Sequence, residues 1–172
     1  MLFRSTSTIE SSFGSGLVVG GYFLNNELTD FDMNPVYEGK PANNRVAGGK
    51  RPRSSMSPSL VWGPDGKLRM AVGAAGGATI PAQVIRAIIG VIDWKLSAQD
   101  ALALPVLFAP GVDTVYVEKG SWLESITPQL QALGHTSIVP RALPLKANAV
   151  EVVAGELKGA ADPRSEGKAI AE

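Results

Sequence analysis

A β-hairpin, a glycine-rich turn and an apolar helix follow one another along residues 59–92, and this order restricts the fold more than any other feature of the chain. Ser59–Trp62 and Leu68–Gly73 are largely apolar, and Pro64-Asp65-Gly66 between them has the composition of a tight turn. The segment Gly73–Gly77 then leads from the second strand to the helix. A strand that passes directly into a helix predicts a layered fold in which the two pack together.

The helix is predicted from residue 80 onward. Thr79 is a suitable N-cap, and Pro81 fits the first turn, where a missing N–H is tolerated. Helical spacing places apolar side chains on one broad face, namely Ile80, Val84, Ile85, Ile88, Ile89, Val91 and Ile92. So wide a face predicts burial against a sheet, and with the surrounding strands it indicates layered α/β or α+β packing.

The other predicted elements are shorter, and we expect them to form one domain over residues 1–172. Ser97–Asp100 resembles a capping box and predicts a short helix, whereas Ser121–Leu133 predicts a longer one. Residues 34–53 lack periodicity, which is typical of a functional loop. Further strands are predicted at Ser5–Glu10, Gly16–Leu24, Val112–Glu118, Thr136–Val139, Ala149–Val153 and Glu156–Ala160.

Charge and composition exclude several classes of function. Sixteen basic residues balance 16 acidic ones, so no surface for nucleic acid is predicted. The apolar stretch Ile80–Ile92 is too short to span a bilayer. With no cysteine and one histidine, the sequence predicts no disulfide, no metal site and no cofactor. Met1–Arg4 does not begin a signal peptide, which leaves both periplasm and cytoplasm open.

Three segments carry groups that suit acyl-transfer chemistry. Gly76-Gly77 can point backbone N–H groups at an oxyanion, although a tight turn with positive φ explains the same glycines. Glu27 and Asp30 can hold an ammonium group together, but solvated loop carboxylates have the same spacing. Ser54-Ser55 can bind a carboxylate or close a local turn. For each segment taken alone, the purely structural explanation is favoured.

No nucleophile accompanies these groups. His135 is the only histidine, and no Gly-x-Ser-x-Gly elbow occurs, so a Ser-His-Asp triad is not predicted. We expect His135 to be a surface residue at a helix end.

In order and spacing the segments resemble the small subunit of gamma-glutamyltransferases, which belong to the N-terminal-nucleophile hydrolase superfamily. The matching stretches cover essentially the whole chain and include Ser5–Glu10, Phe13-Gly14-Ser15-Gly16, Leu24–Phe31, Lys50–Pro58, Gly73–Gly77 and Gly159–Arg164. The resemblance implies a four-layer αββα sandwich, here incomplete. It also implies a precursor that cleaves itself into a large and a small subunit and exposes a threonine, which attacks γ-glutamyl amides such as glutathione.

The resemblance assigns roles to residues near the start of the chain. Thr8 matches a threonine that supports the nucleophile. Glu10 lies where many members have an Asn that contacts the amino-acid end of the substrate. Glu27 and Asp30 match the pair that holds the glutamyl α-amino group.

The later segments match binding and catalytic groups. Ser54 and Ser55 correspond to hydroxyls that bind the α-carboxylate, and Gly76 and Gly77 to the oxyanion-hole glycines. The acidic Glu10 in place of Asn also suits a cephalosporin-acylase-like specificity, which is the alternative.

By the same resemblance the nucleophilic threonine would fall before Met1. Since loss of a nucleophile lowers turnover roughly 10⁶-fold in a well-studied hydrolase, we expect this chain alone to be inactive or nearly so. The expected partners are a γ-glutamyl substrate and a large-subunit chain, with a homo-oligomer as a further option. A non-catalytic protein that binds amino acids, or that dimerises, is the other alternative.

Overall fold

The computed structural model describes residues 5–111 and 113–170, which form two units. The smaller unit is Thr6–Ser54, and the larger unit consists mainly of residues 55–170. We describe each unit by itself, and the expectation of one domain stays a prediction. Predictions that concern Met1–Arg4 and Val112 lie outside the described residues.

The smaller unit consists of two short hairpins and a helical turn. The predicted strand Gly16–Leu24 is instead the first hairpin, because Gly20 and Gly21 have φ values of 58° and 83° and reverse the chain. One turn of 3₁₀-helix spans Glu27–Asp30. The four strands are β1 (Val18–Val19), β2 (Tyr22–Phe23), β3 (Val36–Tyr37) and β4 (Lys40–Pro41).

The strand predicted at Ser5–Glu10 is wrong. Residues 5–9 have no strand partner in the described structure, and Glu10 has a φ of 71°, which a strand cannot contain. The Thr8 hydroxyl oxygen accepts a hydrogen bond of 2.8 Å from the Glu10 amide. This side-chain turn bends the backbone away from an extended path.

The larger unit is built on two sheets, and the mixed α/β class is confirmed. Its strands are β5 (Ser59–Trp62), β6 (Leu68–Ala75), β7 (Leu107–Phe108), β8 (Thr114–Glu118), β9 (Ser137–Arg141), β10 (Lys146–Val153) and β11 (Glu156–Ala161). The first sheet is antiparallel in the order β11-β10-β6-β5, and it contains the predicted β5–β6 hairpin together with a hairpin of β10 and β11. The second has the order β7-β8-β9, in which β8 and β9 are parallel.

In the described part of the larger unit, the α-helices that accompany these sheets are α1 (Ile80–Ile92), α2 (Ala98–Ala103) and α3 (Thr127–Ala132). The capping box is confirmed, because the Ser97 side chain accepts a hydrogen bond from the Asp100 amide. The continuous helix predicted at Ser121–Leu133 is wrong. A 3₁₀ turn at Trp122–Glu124 precedes α3. The helix is interrupted because Pro128 has no backbone N–H to donate to a carbonyl in the preceding turn. None of the helices in the described ranges has the length and apolarity that crossing a bilayer requires.

The core lies between α1, α2 and the first sheet. Met70 of β6 is fully buried, and Val84 and Val91 of α1 are nearly so. Gly90 lets the helices approach closely, because a Cβ there would lie 2.7 Å from the Cβ of Ala101. The apolar face of α1 is narrower than predicted, since Ile85 is 56% exposed. The buried face fixes the start of α1 against the ends of β6 and β10.

Candidate functional site

The glycine turn lies at the end of β6, immediately before α1. Gly76 has a φ of 135° and Gly77 a φ of 60°, both in the region that favours glycine. Across the described ranges, the amide N–H groups of Gly76 and Gly77 have no hydrogen-bond acceptor. Unpaired amides near the start of a 13-residue helix are suited to stabilise negative charge on a ligand oxygen.

Two side chains that the sequence analysis did not single out hold this turn in place. Gln83 is fully buried, and its Nε2 donates to the Ala75 carbonyl and to the Thr79 hydroxyl, both at 3.0 Å. Thr79 precedes α1 as predicted, but its side chain does not cap the helix. Its hydroxyl lies 3.0 Å from the carbonyl oxygens of Gly76 and Pro144 instead. The sequence contains a signal for the role of Gln83. An amide side chain inside an otherwise apolar helix face needs buried polar partners.

The smaller unit brings Glu10 next to the segment that contains Glu27 and Asp30. A Glu10 Oε2 atom accepts hydrogen bonds from Ser11 Oγ at 2.5 Å and from Asn26 Nδ2 at 2.6 Å. These two donors lower the pKa of Glu10, the Ser11 hydroxyl more than the Asn26 amide. Asn26 precedes the 3₁₀ turn, so it links the two parts of the cluster.

Glu27 and Asp30 lie at the two ends of that turn and are half-buried. Burial raises the pKa of Glu27, and the negative charges of Asp30 and Glu10 raise it further. The Oε1 atom of Glu27 is buried and has no hydrogen-bond partner among the residues that the structure describes. Among the residues described, no Lys or Arg forms an ion pair with these three carboxylates. We call Glu10, Glu27 and Asp30 the unpaired acidic cluster.

Thr8 and the serine pair have different surroundings. The Thr8 hydroxyl oxygen accepts a hydrogen bond from the Glu10 amide and so fixes the backbone next to the unpaired acidic cluster. Ser54 is the last residue of the smaller unit, and Ser55 begins the main segment of the larger one. Ser55 is half-buried, and its carbonyl accepts from the Ser57 hydroxyl at 2.9 Å. The roles of Thr8, Ser54 and Ser55 stay predictions, as does the convergence of all these groups around one cavity.

A second charged cluster, here called the buried ion network, lies in the larger unit at the motif Gly159–Arg164. Asp162 is fully buried, and its Oδ1 accepts from Arg164 Nη1 at 2.9 Å. Arg164 Nε also donates to Glu118 Oε1 at 2.6 Å, and Arg86 Nη2 lies 3.6 Å from Asp162 Oδ2. Burial lowers the pKa of Arg164, but hydrogen bonds and attraction from Glu118 and Asp162 outweigh it and leave that pKa raised.

Among the clefts of the larger unit, those of about 500 and 310 Å³ lie beside the β5–β6 turn and on the outer side of α1, and no predicted site residue lines either one. In the described ranges, no three His, Asp or Glu side chains are grouped closely enough to hold a metal ion. The negative charge of the unpaired acidic cluster suits recognition of an ammonium group, and the N–H groups of the glycine turn suit recognition of an oxyanion.

Comparison with known proteins gives a consistent result. The family model for gamma-glutamyltranspeptidase matches residues 4–172. The glutathione hydrolase proenzyme of Escherichia coli strain K12 is 36% identical over 169 residues, which cover 93% of this chain and 29% of that protein. The corresponding Bacillus subtilis proenzyme is 34% identical over 170 residues, which cover 96% of this chain and 28% of that protein. The chain thus spans less than a third of the length of these curated relatives.

A solved structure matches over a different share of its length. The crystal structure of a mutant Helicobacter pylori gamma-glutamyltranspeptidase superimposes with a TM-score of 0.79 and 31% sequence identity. The match covers 94% of this chain and 92% of that crystallised chain. The described fold is therefore that of nearly an entire chain in a solved relative.

Proposed function

This chain belongs to the gamma-glutamyltranspeptidase family, and we propose that it supplies the oxyanion donors and the amino-acid-binding carboxylates of an enzyme that transfers or hydrolyses γ-glutamyl groups. The observation that carries the proposal is the pair of unpaired amides at Gly76 and Gly77, placed between β6 and α1.

The chemistry assigns these amides a specific task. Attack of a threonine hydroxyl on the γ-glutamyl carbonyl forms a C–O bond and moves the π electrons onto the carbonyl oxygen. The amides of Gly76 and Gly77 donate to that oxyanion. Collapse breaks the C–N bond, the amine leaves with a proton, and water or an acceptor amine then takes the acyl group. Removal of one such donor lowers kcat by about 10²–10³-fold in a studied hydrolase.

The unpaired acidic cluster suits the α-ammonium group of a γ-glutamyl substrate. Glu27 and Asp30 provide negative charge without a competing cation among the described residues, and Glu10 adds a third carboxylate. A bound ammonium would offset the burial and the repulsion that together raise the pKa of Glu27. We assign the substrate carboxylate to Ser54 and Ser55, and support of the nucleophile to Thr8.

The coverage of relatives supports the assignment of this chain to the small-subunit portion of such an enzyme. It matches 92% of one crystallised chain but only 29% of a proenzyme. The two sheets and the helices of the larger unit are compatible with part of an αββα sandwich. Because no proposed site residue is a nucleophile, we infer negligible turnover without the threonine and the large-subunit portion. Glutathione-type amides are the proposed substrates, and the comparisons do not favour a cephalosporin acylase.

The test joins this chain to the threonine-bearing segment and the large-subunit portion of a family member, and it follows p-nitroaniline release from a γ-glutamyl anilide. We expect release by the assembled complex, a strong reduction in D30N, and no change in E38Q, whose carboxylate lies on the exposed turn between β3 and β4. An assembled complex that neither releases p-nitroaniline nor binds glutamate would contradict the proposal. Binding without release would favour the non-catalytic alternative.

A further inference from the structure

We propose that Gln83 and Thr79 are positioning residues that orient the amide N–H groups of Gly76 and Gly77. Each of the two side chains binds the carbonyl group that shares a peptide plane with one of these N–H groups. The inference rests on the proposed function, because it names what orients the amides of Gly76 and Gly77. Neither side chain is assigned contact with substrate.

The first amide is aimed through the peptide that joins Ala75 to Gly76. In a planar trans peptide the C=O and the N–H point in opposite directions. The Ala75 carbonyl accepts from Gln83 Nε2 at 3.0 Å, on the side where α1 begins. Fixing that carbonyl turns the Gly76 N–H to the opposite side, away from Gln83.

The second amide is aimed in the same way. The Gly76 carbonyl lies 3.0 Å from the Thr79 hydroxyl and accepts from the Thr79 amide at 3.4 Å. The Gly77 N–H belongs to the same peptide plane and therefore points away from Thr79. One hydrogen-bonding side chain thus corresponds to each proposed oxyanion donor.

Gln83 also anchors the turn to β10. Its Oε1 accepts from the Lys146 amide at 2.9 Å, and the Thr79 hydroxyl lies 3.0 Å from the Pro144 carbonyl. The packing is tight, because a Cβ on Gly76 would lie 2.2 Å from that carbonyl and 2.9 Å from Gln83 Nε2. Glycine at position 76 is therefore required both by its φ and by this contact.

The test isolates the donor of Gln83. In Q83E the side chain keeps its shape and an oxygen for the Lys146 amide, but it no longer has the NH₂ donor that holds Ala75. The matched control is Q99E, because Gln99 bridges the backbone of Ala161 in the same unit, donating at 2.9 Å and accepting at 3.1 Å. Both variants remove one amide donor, and only the first removes it from the turn.

Two measurements are made on each variant. Residual dipolar couplings of ¹⁵N-labelled full-length chain report the directions of the Gly76 and Gly77 N–H vectors. Steady-state kinetics of the assembled complex that carries the nucleophilic threonine and the large-subunit portion report kcat and KM. In Q83E we expect a reoriented Gly76 vector and a kcat lowered by about 10²-fold, the scale for a misplaced or lost donor, with KM nearly unchanged. In Q99E we expect neither change.

If Q83E does not fold, the Thr79 variants give the same test. T79V removes the hydroxyl at nearly constant shape, and T79S restores it. We expect T79V to reorient the Gly77 vector and lower kcat, and T79S to recover both. Unchanged vectors in folded Q83E and T79V would overturn the inference. Reoriented vectors with unchanged kcat would support the positioning role and instead contradict the proposed role of the amides as oxyanion donors.

Discussion

The unpaired acidic cluster and the buried ion network contain the same kinds of carboxylate in opposite surroundings. Glu10 is exposed and Glu27 is half-buried, and no cation pairs with either among the described residues. Asp162 is fully buried and has Arg164 at 2.9 Å and Arg86 at 3.6 Å. The first group can accept a cation from outside the chain, whereas the second is already neutralised from within.

The contrast separates binding from stability. In the buried ion network, Arg164 also donates to the carbonyl oxygens of Leu102, Ala103 and Leu104. It therefore connects the end of α2 to the motif Gly159–Arg164. In the acidic cluster, no described cation compensates the repulsion between carboxylates, and the pKa of Glu27 is raised first by burial and then by the charges of Asp30 and Glu10. A chain that keeps this repulsion gains nothing in stability from it, which points to a ligand.

The largest expected effect is on the buried network. D162N removes the negative charge between two arginines, and we expect a loss of about 3–5 kcal/mol in the free energy of unfolding. The loss is large because the partly buried guanidinium groups no longer have this counter-charge. Urea denaturation followed by circular dichroism measures this loss. The control is D65N, which breaks the exposed ion pair between Asp65 and Lys67, whose charged atoms lie 4.0 Å apart. We expect it to change the free energy of unfolding by about 0–1 kcal/mol. Equal effects in the two variants would contradict the comparison.

The next effect is on ligand binding. D30N removes one charge from the acidic cluster, and we expect affinity for an amino-acid ammonium group to fall by about 10–100-fold, since a hydrogen bond to a charged group contributes about 1.5–3 kcal/mol. The stability should stay the same or rise slightly, because repulsion with Glu27 is relieved. Calorimetric titration of the assembled complex with glutamate measures the affinity, with E38Q as the control. A large loss of stability in D30N would place Asp30 with the structural carboxylates instead.

The third effect is a shift in pH dependence. Because the pKa of Glu27 is raised and that of Glu10 is lowered, the carboxylate of Glu27 protonates before that of Glu10 as the pH falls, and ammonium binding should begin to weaken above the ordinary glutamate range. The raised pKa also means that ionisation of Glu27 disfavours the folded state, so its contribution to stability is present at low pH and is lost as the pH rises through that pKa. Carboxyl ¹³C shifts in D30N should show the pKa of Glu27 moving down. An unchanged pKa would exclude Asp30 as a cause.

Local patterns predicted the elements that depend on neighbouring residues. The β5–β6 hairpin, α1 and the cap at Ser97 are confirmed, because turn chemistry, apolar spacing and capping are all encoded within a few positions. The prediction of a strand at Ser5–Glu10 was wrong. The β-branched residues there favour an extended backbone, but a hydrogen bond from the Glu10 amide to the Thr8 side chain bends it.

Interactions between distant positions could not be predicted in this way. Gln83 reaches Pro144 and Lys146, and Arg86 reaches Asp162, in each case across more than 60 positions. The sequence marks Gln83 and Arg86 only as polar interruptions of an apolar face. The partners of Gln83 follow from the pairing of β6 with β10, which no local pattern specifies.

The smallest effect separates the members of the acidic cluster from one another. Glu10 differs from Glu27 because its pKa is lowered, chiefly by the Ser11 hydroxyl and then by Asn26. In S11A we therefore expect the pKa of Glu10 to rise toward its ordinary value, while that of Glu27 changes little. The stabilising contribution of the ionised Glu10, which is lost as the pH falls through its lowered pKa, should shrink accordingly. A titration followed by carboxyl ¹³C shifts tests both statements, and a pKa of Glu27 that moved as far as that of Glu10 would show that Ser11 acts on the whole cluster rather than on Glu10.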